Sequence, residues 1–205
     1  MENNIVALSG EVISGFTYSH EVFSEKFYMF NLKVARMSET FDILPIMISE
    51  RLIDVTKDYV GSYLRVNGQY RSFNKHTGEK TYLVLSVFAR AIEFTDDCQD
   101  TNYAVFDGYV CKPTNYRKTP LGREITDVLL AVNRPYGKSD YIPCVIWGRN
   151  AKFAEGFAVG EHIKVCGRVQ SREYTKTVGE ETEKRVAYEL SVSKVEVVKG
   201  EEDAR

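Results

Sequence analysis

A chain of 205 residues has room for one large domain or two small ones. It is 43% hydrophobic and 27% charged, with 27 Lys+Arg against 29 Asp+Glu and a formal charge of −2. That balance argues against a histone-like polycation or an acidic disordered tail, while leaving room for a local basic groove. No apolar run approaches the roughly 20 residues of a membrane span, and the polar start Met1-Glu2-Asn3-Asn4 lacks the basic and apolar regions of a signal peptide.

Taken in chain order, short runs rich in Val, Ile, Tyr, Phe and Leu read as strands at Phe27–Val34, Tyr63–Tyr70 and Thr81–Phe88. The same reading gives Ile125–Val132, Tyr141–Trp147, His162–Gln170 and Val186–Val198 in the second half. Each half carries one predicted short helix, Ser49–Val60 and Asn150–Phe157, opened by a residue suited to an N-cap. Several short strands per half with one helix predict an all-β chain of two small barrels.

The halves repeat. Gly10 matches Gly108, Tyr18 Tyr116, Arg36 Arg134 and Pro45 Pro143, all at one offset. After the predicted helix the offset slips by one residue, so that Val66-Asn67-Gly68 lies over Val165-Cys166-Gly167 and Ser72 over Ser171. The expected division is residues 1–97, 102–199 and a short acidic tail at 200–205, with the polar run Thr95–Asn102 as the joint. Charge divides with the repeat: residues 1–100 carry ten basic against 14 acidic side chains, residues 101–200 carry 16 against 12. The basic half is the one expected to meet an anionic partner.

Cys98, Cys111, Cys144 and Cys166 share no CxxC spacing and pair with none of His20, His76 and His162 at ligand spacing. The expectation is reduced thiols in a cytoplasmic protein with no metal and no cofactor. Asp107, Asp127 and Asp140 fall on different elements, and no histidine sits beside a nucleophile, so no enzyme is expected.

In the second half, basic and aromatic residues interleave. Arg117, Lys118 and Arg123 flank the turn Thr119-Pro120-Leu121-Gly122, and Arg134 precedes Pro135-Tyr136. Alternation along a strand puts Tyr141, Pro143, Val145 and Trp147 on one face and Ile142, Cys144 and Ile146 on the core face. Arg149 follows, and Arg168, Gln170, Arg172 and Tyr174 share one parity on the next strand, which leads to Lys176. Flat rings accept a base whatever its identity, at about 1–3 kcal/mol each. Guanidinium and ammonium groups between them neutralise phosphates. This is the chemistry of a single-strand groove, although stacking alone does not read the 2′-hydroxyl that separates RNA from DNA.

Three segments now carry a resemblance. Leu130–Tyr136 (LAVNRPY), Asp140–Arg149 (DYIPCVIWGR) and Gly167–Tyr174 (GRVQSREY) resemble, in order and spacing, the bacterial single-stranded DNA-binding protein family. The resemblance implies an oligonucleotide/oligosaccharide-binding (OB) fold, so two tandem five-stranded OB barrels, and binding of single-stranded DNA in replication, recombination or repair. Family aromatics that stack on bases match Tyr136, Tyr141, Trp147 and Tyr174. Tandem members pair as homodimers with four OB folds, which implies a homodimer and a cytoplasmic, nucleoid-associated protein. The family's acidic tip with a terminal aromatic, which recruits repair proteins, is not matched by Lys199–Arg205 (KGEEDAR).

The first half resembles the family less. By the offset, Tyr141 becomes Ile43, Trp147 Ser49 and Tyr174 Lys75, while Arg117, Lys118 and Arg123 become Ser19, His20 and Glu25. Arg36, Arg71, Phe73, Lys75 and Lys80 remain, and Arg36, Phe41, Arg71, Phe73 and Lys75 are the candidate auxiliary contacts. This half is expected to be mainly architectural with auxiliary DNA contacts; the rival is a rearranged groove using Phe41, Phe73 and the basic loop of this half. A different class of function, an OB-fold primosome-type or scaffold protein with weak DNA binding, is the alternative reading.

Overall fold

The structure is a computed structural model that describes residues 2–78, 80–96, 101–178 and 181–199, apart from the side chains of residues 77, 80, 178 and 181. Half of the expected joint, residues 97–100 with Cys98 among them, and the expected tail at 200–205 lie outside the described residues.

The chain is all-β. The first half contributes β1 (Asn4–Val12), β2 (Thr17–Val22), β3 (Glu25–Ala35), β4 (Phe41–Ser49), β5 (Tyr63–Thr77) and β6 (Lys80–Phe94). The second contributes β7 (Asn102–Val110), β8 (Asn115–Lys118), β9 (Glu124–Arg134), β10 (Lys138–Trp147), β11 (His162–Val178) and β12 (Glu181–Val197). A 3-10 turn spans Pro135–Gly137, and the helix α1 spans Arg149–Ala154.

Within each half the pairings return on themselves. β1 pairs with β5 and β3, β5 with β6, β6 in parallel with β4, and β4 with β3. β7, β11, β12, β10 and β9 repeat that circuit, parallel step included. β2 and β8 extend β3 and β9 as hairpin partners. Alternation drives the folding: Leu32, Val34, Leu44, Ile46, Val66 and Val87 are buried in one circuit, and Leu130, Val132, Ile142, Ile146, Val165 and Val169 in the other. The halves join where β1 pairs antiparallel with β7. The buried rings of Tyr70 and Phe106, one from each half, stack 6.0 Å apart, so the interior runs across the junction.

Two expectations change. The predicted helix at Ser49–Val60 is a run of turns after the end of β4. Asp54 accepts the Thr56 amide at 3.1 Å and Asp58 the Val60 amide at 3.0 Å. These local side-chain bonds compete with the helical ladder, and Ile53 is buried to hold the loop in place. The helix predicted at Asn150–Phe157 forms as α1, but its N-cap is Gly148 at φ 60°, and Asn150 instead donates to the Ser193 carbonyl at 3.3 Å. β4 is masked in the sequence by Asp42 and Pro45, residues uncommon in strands. β1 and β7 show there only through Gly10 and Gly108; a Cβ at either would collide with the carbonyl of Lys33 or Ala131 on the crossing strand.

Among the described residues no helix is long and apolar enough to cross a membrane. Cys111, Cys144 and Cys166 are free thiols.

Candidate nucleic-acid interface

The alternation read along β10 is present: Ile142, Cys144 and Ile146 are buried, while Tyr141 is 42% exposed and Trp147 is half-buried. Val145 departs from it, being buried at the outward parity. The Trp147 indole N–H donates to Ser191 Oγ on β12 at 3.1 Å, which fixes the ring's orientation. Around that ring lies a cleft of about 460 Å³ lined by Arg123, Arg168, Gln170, Arg172 and, from the first half, Arg36.

The other expected aromatics stand apart from this cleft. Tyr174, 37% exposed, lines a second cleft with Lys176 and Arg185, which Tyr82 from the first half completes. There the Arg185 guanidinium lies 5.6 Å from the Tyr82 ring centre, so the two long hairpins touch. Tyr136 is 99% exposed on the 3-10 turn, in the left-handed region at φ 65°. Holding a non-glycine residue in that region has an energetic cost. The structure thus brings Trp147 together with Arg123, Arg168 and Arg172, and places Tyr174 with Lys176; it gathers neither Tyr136 nor Tyr141 into these clefts.

The expected cations divide into two groups. Arg123, Arg149 and Lys176 have no carboxylate partner among the described residues. Arg117 is bidentate on Asp127 at 2.7 and 3.2 Å, Lys118 lies 3.8 Å from Glu124, and Arg172 reaches both oxygens of Glu189 at 3.2 and 3.3 Å. Arg172 also lies 5.9 Å from the Tyr174 ring centre. Arg134 and Arg168 face fully buried carboxylates, Asp140 at 3.2 Å and Asp42 at 3.5 Å. Each is only partly exposed, and burial lowers the pKa of Arg168.

Those two carboxylates are the residues that sequence reasoning undervalued. Asp42 accepts Arg36 through Nε at 2.8 Å and Nη2 at 2.5 Å, and also takes the Ser171 amide of the other half at 2.7 Å. Asp140 accepts the Ser72 amide of the first half at 2.7 Å and meets Arg71 at 3.3 Å. Burial raises the Asp140 pKa, outweighing the hydrogen bond and the two guanidinium groups. The signal was in the repeat: Asp42 matches Asp140 and Ser72 matches Ser171 at the two offsets already noted. Arg71 and Arg168 each pair with the carboxylate of the other half, and Arg36 donates to the Ser171 carbonyl at 3.1 Å, so these three hold the halves together at the same time as they edge the clefts.

In the first half, Phe41 is 50% exposed with the Lys33 ammonium 5.1 Å from its ring centre. Phe73 and Lys75 line a separate cleft with Arg71, Ser72 and Phe88. No group of three or more His, Cys, Asp or Glu side chains that could hold a metal occurs among the described residues.

Residues 101–198 match the sequence model of the single-strand binding protein family. The chain is 34% identical over 85 residues to "Single-stranded DNA-binding protein 2" of Listeria innocua, covering 38% of this chain and 54% of that one. It is 33% identical over 85 residues to the "Single-stranded DNA-binding protein" of Halalkalibacterium halodurans, covering 38% and 51%. The chain spans about half the length of these curated relatives. Over both halves, the fold matches the crystal structure of a deletion mutant of the single-stranded DNA binding protein from Thermus aquaticus, with a TM-score of 0.77 at 17% identity, covering 97% of this chain and 95% of that one.

Proposed function

We propose that this chain, which belongs through residues 101–198 to the single-strand binding protein family, binds and protects single-stranded DNA without sequence preference. The observation that carries the reading is the Trp147 cleft: an indole oriented by Ser191 and bordered by Arg123, Arg168 and Arg172. A base stacks on the ring while its phosphates lie against the guanidinium groups. Arg149 and Lys176, without carboxylate partners among the described residues, and Arg117, Lys118 and Arg134, which must share their charge, extend the track. Tyr136, Tyr141 and Tyr174 supply further stacking faces. There is no catalytic step.

Two tandem OB barrels, at 1–97 and 102–199, are the architecture this reading assumes. The two closed circuits of pairing and the likeness in fold to the Thermus aquaticus protein support it. A homodimer would bring four such folds to one DNA strand. The place of action on this reading is bacterial replication, recombination or repair.

Trp147 is the only tryptophan, so intrinsic fluorescence reports on this cleft. Oligo(dT) is expected to quench it, with log affinity falling against log salt by about 0.7 per phosphate neutralised. Absence of quenching and of binding at low salt overturns the proposal. Light scattering tests the dimer; a monomeric mass removes it.

A further inference from the structure

The first half has Ile43 and Ser49 where the second has Tyr141 and Trp147. Its rings are nevertheless present, at other positions. Phe88 on β6 stands opposite Met47 in the parallel pairing with β4, the place Ser191 holds opposite Val145 in the pairing of β12 with β10. The second half sets a ring on β10 against a serine on β12. The first sets a serine on β4 and the ring on β6.

Phe88 is part of a row. Its ring centre is 5.7 Å from that of Phe27 on β3, and His20 on β2 stacks on Phe27 at 5.1 Å with the planes 14° apart. On β5, the Arg71 guanidinium lies 6.0 Å from the Phe88 ring centre. A row of π faces thus runs from β2 to β5 and ends on a cation. The second half has Lys118, Ile125, Ser191 and Gln170 at these places, so the row has no counterpart there.

His20, Phe88 and Arg71 border a cleft of about 710 Å³ that Phe73 and Lys75 complete from β5. Phe73 is 48% exposed, and His20 and Lys75 are exposed, so their faces and charge are open to a ligand. Arg134 reaches the cleft from the second half, and no carboxylate is among its lining side chains. Open ring faces beside three cations fit a planar aromatic group carried on an anionic chain. They fit a base of a single strand better than an apolar peptide, which has no use for the charge, or a duplex, which offers no unstacked base. The cleft also adjoins the stacking surface of the second half: the Tyr141 amide donates to Ser72 Oγ, on the cleft wall, at 2.7 Å.

We propose that this cleft is a second nucleotide site, in which one base of a DNA strand leaving Tyr141 stacks on the exposed ring of Phe73, within the wall that Phe88 and His20 complete, with its phosphates on Lys75 and Arg71. The first half then takes an active part in binding and is not mainly architectural. The inference rests on the single-strand reading above, because the strand must already lie across the second half.

The test moves the reporter. In the full chain, Trp147→Phe with Phe73→Trp leaves one tryptophan, in the first-half cleft. Titration with (dT)35 is expected to quench it, as is expected of Trp147 in the natural chain. In the natural Trp147 background, the double change Phe73→Ala and Lys75→Ala is expected to weaken (dT)35 about tenfold. It should leave a short (dT)8, which the second half accommodates alone, within about twofold. Circular dichroism checks that each variant retains its β content, and if Phe73→Trp fails that check the Ala pair decides. Two results overturn this site alone, given that Trp147 is quenched in the natural chain: a silent reporter in the Phe73→Trp variant, or equal losses for the two oligonucleotides in the Ala pair. A silent Trp147 overturns the single-strand reading and this site with it.

Discussion

Val6 on β1 pairs with Ala104 on β7, and these residues are the same position of the repeat. Around them the register runs outward symmetrically, Asn4 facing Phe106 and Leu8 facing Asn102. The halves are therefore related by an approximate twofold axis through this pair. The axis explains why the buried contacts come in reciprocal sets: Ser171 donates its amide to Asp42, and Ser72 donates its amide to Asp140, each at 2.7 Å. Each carboxylate gathers an arginine from each half.

The two sets are not equivalent in strength. Asp42 has a bidentate partner in Arg36, whereas Asp140 has one contact each from Arg71 and Arg134 and a pKa raised by burial. Asp42→Asn is expected to cost about 3–5 kcal/mol in urea unfolding, the range for breaking a buried ion pair. Asp140→Asn should cost less, about 1.5–3 kcal/mol, the scale of a lost charge-assisted hydrogen bond. A folded pKa above the unfolded one means that the folded state takes up the proton first. This contribution to stability is present at acid pH and is lost as pH rises through the raised value. Asp140→Asn removes that slope from a stability profile across mildly acid pH, whereas a profile unchanged from the natural protein's refutes the assignment.

Arginines that face buried carboxylates and arginines that do not should separate in experiment. Arg123→Ala is expected to lower the salt slope of oligo(dT) binding by roughly 0.7 and leave unfolding unchanged. Arg168→Ala, which opens the buried Asp42, should weaken binding and also cost about 1–3 kcal/mol of stability. Equal stabilities for the two variants would contradict the division.

Gly167 sits at a bulge where β11 shifts register against β12, and a Cβ there would fall inside the Ser191 carbonyl on the neighbouring strand. Because Ser191 also holds the Trp147 indole, Gly167→Ala should destabilise by about 1–3 kcal/mol or more and shift the Trp147 emission. Thermal unfolding and an emission scan read the two effects together.

Burial pushes the Cys144 thiol well above its ordinary pKa, and only 1% of the residue is exposed. In the native protein at pH 8, iodoacetamide should modify Cys166 much faster than Cys144, with the difference lost in denaturant. Peptide mass mapping over time distinguishes the sites.

The outward and inward faces of β10 are legible in the sequence because a strand's period of two is a local property. So are the repeat, the division of charge and the short helix after Trp147. The turns after Ser49 read as a helix there because Asp54 and Asp58 spend their side chains on nearby amides, a choice that periodicity does not register. The displaced ring at Phe88 escapes for another reason. β11 and β12 have 17 residues each and β5 and β6 have 15, so a fixed offset sets Phe88 against Ala187, while the pairing sets it against Ser191.

Composition, alternation and the repeat by themselves determined that this is a β chain of two like halves, one carrying exposed rings among cations. The tertiary structure decided which cations stand without a carboxylate among the described residues and which share their charge with Asp42 and Asp140. It also decided that Trp147 is braced by Ser191, and that the first half keeps a cleft of its own. These depend on contacts between residues as far apart as Asp42 and Ser171, which only the closed sheets and the pairing of β1 with β7 bring within a hydrogen bond.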